Sequence, residues 1–198
     1  MRWTFWLALP LALSGCSPQA SSPPHRAAER EQFSEAAAAD APRPVDALLG
    51  LMRQRLLLQH EVARYKWHAR LPITDAKREQ ELLDRAEAQA RDLGLEPGFT
   101  REFFRAQMRA GKLVQQADFD AWQRGDSTPP AAGPDLKALR LQIDGLNGML
   151  LRALKEVGPS LRGEAGRRAV LARADAVLQG QGITPEVRQA ACAPLLRR

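Results

Sequence analysis

The 198-residue chain carries 29 Lys and Arg against 23 Asp and Glu, a formal charge of +6 and an isoelectric point near 10.0. Its 44% hydrophobic and 26% charged residues suit one globular domain, and about 150 ordered residues bury enough surface to fold without staples. The cations interleave with acids and form no basic stripe with aromatics, which excludes a nucleic-acid binder. Two cysteines, Cys16 and Cys192, exclude a disulfide scaffold.

Residues 1–16 read MRWTFWLALPLALSGC, with Arg2 followed by a short apolar run, Phe5–Leu13. That run is too short to span a bilayer and reads as a secretory signal over 1–15. Leu13-Ser14-Gly15-Cys16 resembles the lipobox of bacterial lipoproteins, which implies lipidation of Cys16 and a membrane anchor through its acyl chains. Ser17, where an Asp often marks inner-membrane retention, points to a periplasmic domain held at the outer membrane. The alternative is an ordinary signal with a later cleavage site and a soluble periplasmic or secreted product. Residues 16–44 are rich in Ala, Ser, Pro and Glu without apolar periodicity, the pattern of a flexible tether. Cys192, left without a partner, is expected to be a buried thiol.

The remainder, 45–198, reads as all-α: a single-domain bundle of about six helices with a long first one. The first runs from Pro44 or Val45 to Arg70 and is ended by Pro72, with Leu48, Leu51, Met52, Leu56, Val62 and Ala63 as its apolar face. Thr74 or Asp75 caps the second, which Gly94 stops. The third opens at Pro97 and reaches Trp122, packed by Phe99, Phe103, Phe104, Met108 and Val114. After a loop over 124–134, the fourth spans Pro134 or Asp135 to Val157, burying Leu136, Leu139, Ile143, Leu146, Leu150 and Leu154. Gly158-Pro159 breaks the chain; helices over 163–179 and 185–196 complete it. Trp67 and Trp122 read as core.

No glycine-rich phosphate loop or nucleophile elbow is visible. His25, His60 and His68 lack metal-ligand spacing, and no metal or cofactor is expected. What stands out is cationic. Arg55 and Lys66 are eleven residues apart, three helical turns at about 100° per residue, so both project from one helix face. Two cations on a packed face call for an anion between them. The bland alternatives are a snorkelling Arg55 and Lys66, an Asp75 that only caps, solvated Arg78 and Glu79, an Arg140 paired with Asp144 on its own helix, and a surface Gln115.

The segments QRL at Gln54–Leu56, VARYKW at Val62–Trp67, PITDAKRE at Pro72–Glu79 and QMRAGKLVQ at Gln107–Gln115 together resemble the all-helical chorismate mutases. The nearest likeness is the secreted gamma subclass of the AroQ type. LRLQIDGLNGMLL at Leu139–Leu151 continues the match. The resemblance implies rearrangement of chorismate, a dianion, to prephenate without cofactor. It assigns Arg55, Arg78 and Arg140 to the substrate carboxylates, and Lys66 and Gln115 to the ether oxygen. Asp75 and Glu79 would meet the ring hydroxyl. Gly111 falls where many relatives have a carboxylate-binding Ser or Thr, so a backbone N–H or water would serve there. Some relatives have Glu at the position of Gln115. A complete site in one chain and a possible homodimer are further implications. Two rivals share this reading: an isochorismate pyruvate-lyase, and a non-catalytic binding lipoprotein.

Overall fold

The computed structural model describes residues 43–197 except 132 and 134; the signal, Cys16, His25 and nearly all of the tether lie outside the described residues. Among the described residues there are six α-helices and no strand: α1 Pro44–His68, α2 Ala76–Leu93, α3 Pro97–Arg124, α4 Leu136–Val157, α5 Gly163–Val177 and α6 Pro185–Leu196. A 3₁₀ turn, Gly158–Leu161, joins α4 to α5. No helix among them is long and apolar enough to cross a membrane.

The helix boundaries follow local chemistry. The Asp75 side chain caps α2, Glu96 caps α3 ahead of Pro97, Asp135 caps α4 and Thr184 caps α6. Caps of this kind contribute about 1 kcal/mol each. Gly94, at φ 70°, closes α2 in the left-handed conformation that a residue without Cβ adopts at no steric cost.

The first helix stops at His68, two residues before the expected Arg70. The reason is a left-handed closure rather than Pro72 alone. Arg70 sits at φ 54°, and the Leu71 N–H donates to the Lys66 carbonyl at 2.8 Å. This wrap returns Pro72–Asp75 over the end of α1, which matters for the site. The third helix extends to Arg124, and α5 ends at Val177 rather than 179.

Helix α1 is the spine, packed against α3, α4 and α5, while α3 also packs on α2 and α6. Leu48, Leu49, Met52 and Leu56 of α1 meet Phe103 and Phe104 of α3 and Leu150, Leu154 and Val157 of α4, all fully buried. Burial of each such side chain stabilises by about 1.5–3 kcal/mol. Cys192 is buried in the same core as a free thiol, and burial pushes its pKa up to about 12.

Two expectations about the core are corrected. Trp67 and Trp122 are half-buried and pack with Phe119 in a satellite cluster, centroids 5.2–5.9 Å apart: Trp67 meets both other rings edge-on, while Trp122 lies tilted to Phe119. Met108, Leu136 and Ile143 are only partly buried and form a cavity wall, Met108 while also packing against the core.

Candidate functional site

That cavity, about 110 Å³, lies between α1, α2, α3 and α4. It is built on the face of α1 where Arg55, Gln59, Val62 and Lys66 recur at helical spacing. Arg55 and Lys66 are 3% and 8% exposed, which rules out the snorkelling alternative. Val62, Ile73, Leu82, Met108, Leu136 and Ile143 supply an apolar lining.

Arg55 is fixed from two sides. Its Nε donates to Asn147 Oδ1 and its Nη1 to the Gln107 carbonyl, both at 3.0 Å. Burial lowers its pKa to about 10, with the Asp144 charge opposing, so the guanidinium remains charged at neutral pH. Burial likewise lowers the Lys66 pKa, offset by Asp75 and Glu79. The ammonium donates to the Ile73 carbonyl at 2.5 Å, a contact the wrap at Arg70 creates. An ammonium has three donors, so two remain for a ligand.

The other charged groups are held by reciprocal pairs between helices. Arg78 Nη2 donates to Asp144 Oδ2 at 2.7 Å and Arg140 Nη2 to Asp75 Oδ2 at 2.9 Å. Lys112 Nζ reaches both Glu79 oxygens at 3.0 and 3.1 Å. The pairing of Arg140 with Asp144 along α4 is therefore replaced by two cross-helix pairs. Five cations (Arg55, Lys66, Arg78, Lys112, Arg140) and three carboxylates (Asp75, Glu79, Asp144) line the cavity, an excess of two positive charges.

Seven of the eight residues expected in the pocket line it: Arg55, Lys66, Asp75, Arg78, Glu79, Gln115 and Arg140. Gly111 does not. It is buried within α3, where a helical N–H is committed to the preceding turn, and a Cβ there would lie 3.1 Å from Gln59 Cγ and Cδ. Gln59, Lys112 and Asp144 are lining residues that sequence reasoning passed over. Gln59 carried a signal: it is one turn beyond Arg55 and two before Lys66 on the same face.

The two described histidines, His60 and His68, sit elsewhere. His60 Nδ1 bonds Asp118 at 2.7 Å and Nε2 the Gln181 carbonyl at 2.9 Å; His68 Nε2 bonds the Pro130 carbonyl at 2.8 Å. Among the described residues no cluster of His, Cys, Asp and Glu could hold a metal ion. A wider groove of about 610 Å³, bordered by Trp67, Arg70, Pro72 and Phe119, adjoins the cavity at Lys66.

Fold and cavity together define an all-helical protein with a cationic pocket between four of its helices. Residues 46–116 match the family model for chorismate mutase type II. The chain is 32% identical over 115 residues to a secreted chorismate mutase of Mycobacterium tuberculosis, covering 58% of this chain and 58% of that protein's length. It is 29% identical over 154 residues to a secreted chorismate mutase of Mycolicibacterium smegmatis, covering 78% of this chain and 85% of that protein. A crystal structure of chorismate mutase from Burkholderia thailandensis superposes with a TM-score of 0.70 at 28% identity, over 77% of this chain and 98% of that one. Residues 46–116 thus carry a chorismate mutase type II domain, and the chain as a whole is similar to proteins described as chorismate mutases.

Proposed function

We propose that this protein is a chorismate mutase, converting chorismate to prephenate by a pericyclic rearrangement in which one C–O bond breaks as one C–C bond forms. The observation that carries the reading is the pocket's excess of two positive charges, in a chain carrying this domain, matched to a substrate with two carboxylates.

The reaction needs no nucleophile and no proton transfer. It needs a flexible dianion held in a compact chair-like conformer, and donors for the negative charge that grows on the ether oxygen. Arg55, Arg78 and Arg140 grip the carboxylates with planar forks. Arg55 is rigid before substrate arrives, held by Asn147 and the Gln107 carbonyl. Arg78 and Arg140 exchange Asp144 and Asp75 for substrate, so the cations stay compensated in both states. Lys66 and Gln115 donate to the ether oxygen, and Asp75 and Glu79 accept from the ring hydroxyl. The apolar lining keeps water out and strengthens each of these interactions.

Purified protein supplied with chorismate should consume it and form prephenate at well above the uncatalysed rate. Folded protein without such turnover would refute the reading. Preference for isochorismate with release of pyruvate would move it to the lyase.

The localisation that best suits residues 1–16 is the periplasm, with Cys16 lipidated and the domain tethered at the outer membrane. Two relatives carry the description secreted, which supports export. Fatty-acid labelling of the wild type but not of Cys16→Ala, with membrane-fraction recovery only of the former, is the expected result. The chains pair as a homodimer in this reading, and sedimentation at twice the monomer mass is the expected observation.

A further inference from the structure

We propose that Gln59 is a positioning residue: its side-chain amide sets the orientation of the Gln115 amide so that a Gln115 N–H faces the ether oxygen of the substrate. This rests on the chorismate mutase reading above.

Gln59 is 5% exposed and lines the cavity one turn beyond Arg55. A buried primary amide is costly unless its donors and acceptor are used. Gln59 Nε2 donates to the Arg55 carbonyl at 3.0 Å. A main-chain carbonyl only accepts, so this contact dictates which end of the Gln59 amide is nitrogen. Its oxygen then faces α3, where Gln115 Nε2 donates to it at 2.8 Å. The chain of bonds has one direction, from Gln115 through Gln59 to Arg55. Turning the Gln115 amide over would set two carbonyl oxygens against each other.

One of the two Gln115 N–H bonds is thus spent on Gln59 and the other is left for the cavity. Gln115 Oε1 is buried and has no hydrogen-bond partner, so the bond to Gln59 is what selects the orientation of this amide. Without it, the amide is free to present its oxygen to the ether oxygen, replacing a stabilising donor by a repulsive contact exactly where charge develops.

Gly111 belongs to the same unit. A Cβ at position 111 would stand 3.1 Å from Gln59 Cγ and Cδ and 3.2 Å from Oε1, so Gln59 takes this position because α3 has no side chain there. A long amide at 59 and an empty place at 111 are two halves of one arrangement.

The test is a double-mutant cycle in steady-state kinetics on the full chain, with Gln59→Ala, Gln115→Met and their combination. Gln59→Ala should lower kcat about 10-fold or more while changing KM far less, since it removes alignment of a donor used in the transition state. In the Gln115→Met background the same change should alter kcat by less than about 2-fold, because the group it positions is gone. Gly111→Ser should lower kcat in the wild type and cost less once Gln59 is Ala. If Gln59→Ala does not fold, Gln59→Met, of similar length but without an amide, takes its place in the cycle, with the same expected coupling. Unchanged kcat in the Gln59 variant, or an equal loss in both backgrounds, overturns this inference alone. Absence of chorismate turnover by the wild type overturns it together with the proposed function.

Discussion

Arg140 donates to Asp75 Oδ2 at 2.9 Å, while Asp75 Oδ1 accepts the Arg78 N–H at 3.1 Å. One carboxylate therefore caps α2 and holds the cation that α4 brings to the pocket. The two jobs separate by substitution. Asn is as good a cap as Asp but carries no charge. Asp75→Asn should leave stability nearly unchanged and reduce turnover, whereas Asp75→Ala should lose about 1 kcal/mol of stability as well. Urea denaturation beside kinetics checks both; equal destabilisation by the two changes would contradict the capping role.

Lys66 is the cation set beside the ether oxygen in the proposed reaction. Lys66→Met, which keeps the stem and deletes the charge, should lower kcat about 10²–10³-fold, the effect of losing one preorganised donor. Stability should hold or rise, because a buried charge is replaced by apolar volume. Full activity in this variant would refute the proposed mechanism even with the function intact.

Gln115 is an amide and donates at any ordinary pH. Wild-type kcat should therefore be flat between about pH 5 and 8 as far as this donor is concerned. In Gln115→Glu the donor exists only when the carboxyl is protonated, so kcat should fall as pH rises across that range. A pH–rate profile of the two proteins is the measurement; parallel curves would remove Gln115 from the ether oxygen.

His60 links α1 to Asp118 of α3 and to the Gln181 carbonyl between α5 and α6. Both partners accept, so the doubly protonated ring satisfies both, and the Asp118 bond raises its pKa above 6.5 against the desolvation. A raised folded-state pKa means stability that is complete below the unfolded value of 6.5 and lost as pH rises through the folded one. Wild-type protein should show a falling urea midpoint on passing from acid to alkaline pH through that window. Asp118→Asn should flatten the dependence; an unchanged slope would locate the titration elsewhere.

The helices were legible because their causes are local. Apolar periodicity in α1, the Asp75 cap, Gly94 and Pro97 each act within a turn or two of themselves, and the observed boundaries fall within two residues of expectation. The α1 terminus shows the limit. Its closure depends on Arg70 adopting a left-handed conformation, which an arginine does not advertise. Periodicity also could not separate core from cavity wall: Met108, Leu136 and Ile143 repeat like their buried neighbours, yet face a space.

For the site, sequence alone determined the residue types and their place on each helix. Arg55 and Lys66 share a face because three turns separate them, and the family resemblance supplied the groups on α2, α3 and α4. Which charges pair was decided only by the tertiary structure. Asp144 is one turn from Arg140, and helical spacing allows that pair, but the approach of α2 to α4 sends Asp144 to Arg78 and Arg140 to Asp75. The same holds for Gly111, which in sequence is a missing hydroxyl and in space is room for Gln59. Local spacing sets where a side chain starts; the partner at its far end depends on helices brought together from distant parts of the chain.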